Sequence, residues 1–124
     1  MHGNDSVVAA TGGFFSGVIL ELSEDSLIDR APAATAAMNG LFVAGDGQGV
    51  TVGREGAIAV RQDGLWRSAD SGLRTSLDFH GAWIDPDGAT WAVGGDLVDL
   101  NRGILAYGGT EQISSTILVA LPEE

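Results

Sequence analysis

The chain contains no cysteine, no lysine, and no unbroken apolar run of the roughly 18 residues that a membrane-spanning helix requires. The first absence excludes disulfides, zinc–thiolate sites and thiol nucleophiles, and leaves the redox compartment open. The second makes every basic residue an arginine: Arg30, Arg54, Arg61, Arg67, Arg74 and Arg102. Six positive charges against 17 negative ones give a net charge of −11. A field of that sign repels phosphate backbones, so nucleic acid is set aside as a partner. Imidazole is scarce too, with only His2 and His80, and no G-x-S-x-G nucleophile elbow occurs. The opening MHGNDSVVAATGG shows neither the basic nor the apolar region of a signal peptide, and none is expected in this stretch.

What the chain does have is glycine, 19 of them in 124 residues, placed at a constant step. NGLFVAGDGQGVTVG (39–53) aligns with HGAWIDPDGATWAVG (80–94), so that Gly40 meets Gly81, Phe42 meets Trp83, and Gly53 meets Gly94, each pair 41 residues apart. Gly12, closing VAATG, lies one further step back. Self-similarity at about 40 residues marks a repeat architecture. Each copy continues into an apolar segment: SGVILEL (16–22), EGAIAVR (55–61) and RGILAYG (102–108). QDGLWRS (62–68) then starts a further strand, with EDSLIDR (24–30) as its weaker counterpart. Segments short, rich in Val, Ile and aromatics, and bounded by Gly and Asp read as strands. No stretch keeps a 3.6-residue apolar period, and APAATAAMN (31–39), which carries Pro32, reads as a connecting loop.

Each full unit is therefore four strands, and the fold class expected is all-β, built of about three four-stranded antiparallel blades in a single domain, 1–124. Their boundaries fall at about 6–37, 38–78 and 79–122, with the first unit lacking its opening strand. Four strands per ~40 residues is the count of a β-propeller blade; a solenoid of ββ-turns is the alternative. The segments NG-LF, DG-ATWAVGG, RGILAYGG and DGLW resemble the tandem bacterial β-propeller repeats of the form L-N-G-V-W…D-V-W-A-V-G…G-x-I-L…D-G-x-W. They are more distantly similar to sialidase-type and photosystem-assembly-factor propellers. The resemblance covers nearly the whole chain and implies a secreted or cell-surface propeller protein. The sialidase Asp-box is not carried over: Pro86 stands where the box needs its aspartate.

Closed propellers use about four or more blades, so three leave two apolar flanks. Either the chain is part of a longer propeller, or copies complete the ring, most simply as a dimer of six blades. The last apolar run, STILVALP (115–122), serves either as the third blade's own fourth strand or as a strand given to a partner.

Candidate binding residues cluster in the loops between the second and third strands, whose lengths differ from copy to copy: Phe14 and Phe15 in the first, Arg54 in the second, Asp96, Asp99, Asn101 and Arg102 in the third. Trp91, set against Thr51 in the sister copy, is the first choice for an exposed aromatic, whereas Trp66 and Trp83 align with Leu27 and Phe42 and read as packing between blades. The acidic turns GDGQG (45–49) and DPDG (85–88) carry too few carboxylates for calcium and read as turn chemistry. Glu21, Arg61 and Tyr107 read as solvent-facing rim, and His80 as sharing a hydrogen-bonding job with Asn39. No metal, cofactor or catalytic residue is expected. The function expected is a non-enzymatic binding or assembly module for a protein or glycan. The alternatives are a lectin-like module and a glycoside hydrolase of the sialidase superfold.

Overall fold

The computed structural model describes residues 2–3, 7–70, 75–96, 98, 102–108 and 113–120. Among these residues twelve strands form three four-stranded antiparallel sheets in chain order, and no α-helix occurs. Sheet I holds β1 (His2–Gly3), β2 (Val8–Gly13), β3 (Gly17–Ser23) and β4 (Ser26–Asp29). Sheet II holds β5 (Met38–Val43), β6 (Gly49–Gly53), β7 (Ile58–Gln62) and β8 (Leu65–Ala69). Sheet III holds β9 (Asp78–Ile84), β10 (Thr90–Gly95), β11 (Arg102–Gly108) and β12 (Ile113–Ala120). Two details differ from the expectation or resolve it. The first unit has an opening strand after all, the two-residue β1, which pairs with Val8 and Ala9. The terminal run pairs with β11 of its own sheet.

Backbone chemistry makes these hairpins. Asp63 and Gly64, both at positive φ, form the two-residue turn between β7 and β8, the conformation that matches the twist of the flanking strands. The turns after β5 and β9 share one hydrogen-bond pattern. Ala44 N–H donates to Gln48 O at 2.7 Å, and Asp85 N–H donates to Ala89 O at 2.8 Å. Gly47 (φ 88°) and Gly88 (φ 87°) supply the left-handed residue in each, 41 positions apart.

Sheet II lies between the other two. Toward sheet I it presents Met38, Ala59 and Trp66, which close over Ile19. Toward sheet III it presents Val50 and Val52, fully buried against Phe79, Ala92, Ile104 and Ala106. The gap between sheets is narrow at the first strands and wider further out. Gly40 in β5 lies so near β9 that a Cβ there would be 2.7 Å from the His80 carbonyl oxygen. Between sheets I and II the second strands meet through small side chains, Thr51 Oγ1 donating to Thr11 Oγ1 at 3.1 Å.

The outer strands meet through large ones. Glu21 on β3 accepts from Arg61 Nε on β7 at 2.7 Å and from Trp66 Nε1 on β8 at 2.6 Å. This corrects the rim assignment of Glu21, which is buried, and of Arg61, which is partly buried; together they bridge two sheets. A carboxylate enclosed this way is held by two donors aimed at one oxygen, and deleting either side strands the other.

Gly53 and Gly94 are required by packing rather than by positive φ. A side chain at Gly53 would strike the Ala37 carbonyl and Met38 Cα; one at Gly94 would strike the Asp78 carbonyl and Phe79 Cα. Gly12, one step earlier, has nothing within 4 Å. Gly53→Ala and Gly94→Ala should each lose about 3 kcal/mol or more, the scale of overpacking that the backbone cannot relieve. Gly12→Ala should leave the melting temperature nearly unchanged. Thermal melts of the three variants check this ordering. Glu21→Ala should cost about 3–5 kcal/mol by leaving the Arg61 guanidinium unpaired, measured by urea unfolding.

Candidate functional site

At one end of the sheets the loops after β2 and β6 converge on the starts of β5 and β9. Phe14 and Phe15 occupy the first loop, their rings edge-to-face at 4.7 Å, and Phe15 stands 92% exposed. Arg54 opens a single 3-10 turn (Arg54–Gly56) in the second and reaches across to the Phe14 carbonyl at 3.4 Å. A cleft of about 400 Å³ lies between them, lined by Gly13, Phe14, Ala37, Asn39, Arg54, Asp78 and His80. Asp78 Oδ1 accepts from Glu55 N–H at 2.9 Å, which ties β9 to the Arg54 turn and fixes the cleft floor.

The structure thus brings together Phe14, Phe15 and Arg54. In the third loop the described residues close its base: Asp96 N–H donates to Arg102 O at 3.2 Å, and Asp96 Oδ1 accepts from Val98 N–H at 2.8 Å. Asp99 and Asn101 lie outside the described residues. Asn39, Asp78 and His80 line the cleft without having been picked as ligand-facing. Asn39 and His80 share a repeat position at the start of a strand, hence at the sheet's end, and that position was the available signal. Their hydrogen bonds differ: Asn39 Nδ2 donates across to Phe79 O at 2.9 Å, whereas His80 Nε2 lies 3.3 Å from Gly95 O in its own sheet.

Trp91 does not belong to this cleft. At the 41-residue step it stands over Val50 and not Thr51, and that single offset reverses the face assigned to it. It lies half-buried on the outer face of sheet III, its ring 4.6 Å from that of Tyr107. The exposed tryptophan is its strand neighbour Trp83, 48% exposed, so Trp83 does not pack between described sheets. Trp66 is buried against sheet I as its alignment implied.

A second cleft, about 700 Å³, sits at the opposite end between the two acidic turns, with Phe42, Gln48, Trp83, Asp85 and Asp87 among its walls. Two of the carboxylates here, Asp46 and Asp85, are engaged by their own turns. Asp46 Oδ1 accepts from Gln48 N–H at 2.9 Å, and Asp85 Oδ1 accepts from the N–H groups of Asp87 at 2.9 Å and Ala89 at 3.0 Å. Trp91 Nε1 donates to Asp85 Oδ2 at 3.0 Å. That indole bond, helped by the backbone donors and opposed by some desolvation, holds the Asp85 carboxyl below its usual 3.8. Among the described residues no three carboxylate or imidazole groups converge on a point where a metal ion would sit.

No family model matches the chain, and no curated protein matches it in sequence.

Proposed function

We propose that the chain is a non-enzymatic assembly module of propeller type, three blades whose outer flanks are covered by further blades. The observation that carries this reading is the contrast between inner and outer sheet faces. Val50 and Val52, on the face of sheet II that meets sheet III, are fully buried. The corresponding face of sheet III is left bare, with Trp83, Trp91, Val93 and Leu105 around one shallow apolar depression. At the other end of the stack, Leu22 and Leu27 of sheet I stand 47% and 62% exposed. Contiguous apolar area of this kind, on both ends of a stack, marks interaction surface. The 41-residue recurrence of turns and close contacts supports equivalent blades.

Light scattering across 5–100 µM should give a mass above the 12.7 kDa of one chain. A chain that stays monomeric throughout, with no dye binding to its flanks, would overturn the assembly reading.

One observation favours glycan binding as a second reading. Trp83 presents an exposed indole face at the mouth of the cleft that holds Gln48, Asp85 and Asp87, and sugars are held by an aromatic plane beside hydrogen-bonding groups. Tryptophan emission should then shift on addition of a binding oligosaccharide from a glycan panel, and Trp83→Ala should abolish the shift. Silence across the panel counts against it.

A further inference from the structure

Both internal interfaces join unlike faces, and the outer faces of the stack are one of each kind. Sheet I turns Ala9, Ile19 and Glu21 toward sheet II; sheet II answers with Ala59, Arg61 and Trp66. The strand registers carry these positions around the stack. Glu21 pairs with Ala9, Val60 pairs with Val50, and Tyr107 pairs with Trp91, so Glu21, Val60 and Tyr107 occupy one position in successive sheets. In the same way Arg61 pairs with Trp66, and Leu22 pairs with Leu27, so Leu22 and Leu27 hold in sheet I the positions of Arg61 and Trp66 in sheet II. The bare face of sheet III is therefore of the kind that covers nothing inside the chain and needs a cover. The bare face of sheet I is of the kind that does the covering.

We infer that the occupant is a second copy of this chain, docked head to tail: the outer face of sheet III on one copy packs against the outer face of sheet I on the other, at both junctions. The inference rests on the assembly reading above and names its partner and register. Chemistry at the junction agrees. Where sheets I and II bury Glu21 against Arg61 and Trp66, the outer faces bring Tyr107 to Leu22 and Leu27, a contact without charge; the one carboxylate paired beside them on sheet I, that of Asp29, accepts from the Ile19 and Ala31 N–H groups. Contact between two copies of the sheet III face would instead set Trp83 against Trp83 and leave Leu27 in water. Three blades per copy also fix the number, because closed propellers hold typically four to eight blades and only two copies fall in that range. With each copy carrying −11, the association tightens as salt screens their repulsion.

Light scattering of the full chain should give twice 12.7 kDa. Leu22→Arg and Tyr107→Glu, each alone, bury a charge without a partner at the junction and should weaken dimerisation at least 100-fold. Both substitutions in one chain rebuild at the junction the ion pair found between sheets I and II, and should restore the dimer. Circular dichroism verifies that each single variant is folded. Should Tyr107→Glu unfold the chain, Val93→Glu replaces it, at a side chain 51% exposed on the same face, and should dissociate the dimer alone. A dimer that survives the single substitutions, or a folded double variant that stays monomeric, overturns the head-to-tail junction while leaving assembly in place. A larger oligomer has the same effect. A monomeric parent chain overturns the second-copy inference, and one that also binds no dye on its flanks overturns the assembly reading.

Discussion

The stack depends on a gradient of side-chain size across each inter-sheet gap. Near the first strands the backbones almost touch, and Gly40 is what lets β5 approach the His80–Gly81 segment. One strand further out the gap between sheets I and II is spanned by two threonine hydroxyls, and beyond that by a glutamate, an arginine and an indole. Flat sheets packed by side chains of equal size would lie parallel; sheets packed through this gradient diverge, and each presents an outer face rotated from the last. Within each sheet the strands pair in chain order, and sheet II, second in the chain, packs against both of the others.

The same gradient explains why one interface carries charge and the other does not. Between sheets II and III the outer positions are filled by Ile104 and Ala106 against Ile58 and Val52, an apolar layer that needs no directional bonds. Between sheets I and II, a single carboxylate takes two donors from two different strands. Such a bond set adds orientation more than energy, because the desolvation of both charges offsets much of their attraction. It fixes how sheet I is rotated against sheet II, at the end of the stack where the opening strand is shortest.

Much of this was legible in the sequence, for a definite reason. Turns and close approaches are backbone constraints that glycine, aspartate and asparagine satisfy most readily, so Asp46-Gly47 and Asp87-Gly88 announce themselves wherever they recur. Side-chain partnerships across sheets leave no such mark. Glu21 sits near a strand end, where a carboxylate usually meets water, and its partners lie 40 and 45 residues away on strands of another sheet. The two tryptophans of sheet III show how sharp the dependence on register is. Shifting Trp91 by one position against its sister copy exchanges the faces of the strand, and the exposed ring proves to be Trp83. At the cleft, Phe14 and Arg54 were visible because loops of variable length gather at one end. Asn39, Asp78 and His80 were not, because residues that begin strands look the same whether they hold the fold or border a cavity.

Gly12 has open space where Gly53 and Gly94 are enclosed, and β1, which should fill it, spans two residues. Among the described residues the first sheet is thus anchored on one side, by Ile19 under the second sheet and by the Glu21 pin, whereas the second is clasped from both sides. Cooperativity in such a stack must be graded. Amides of β2 and β3 would trade their protons with solvent ahead of those in β6, so hydrogen exchange should run inward through the stack from its first sheet.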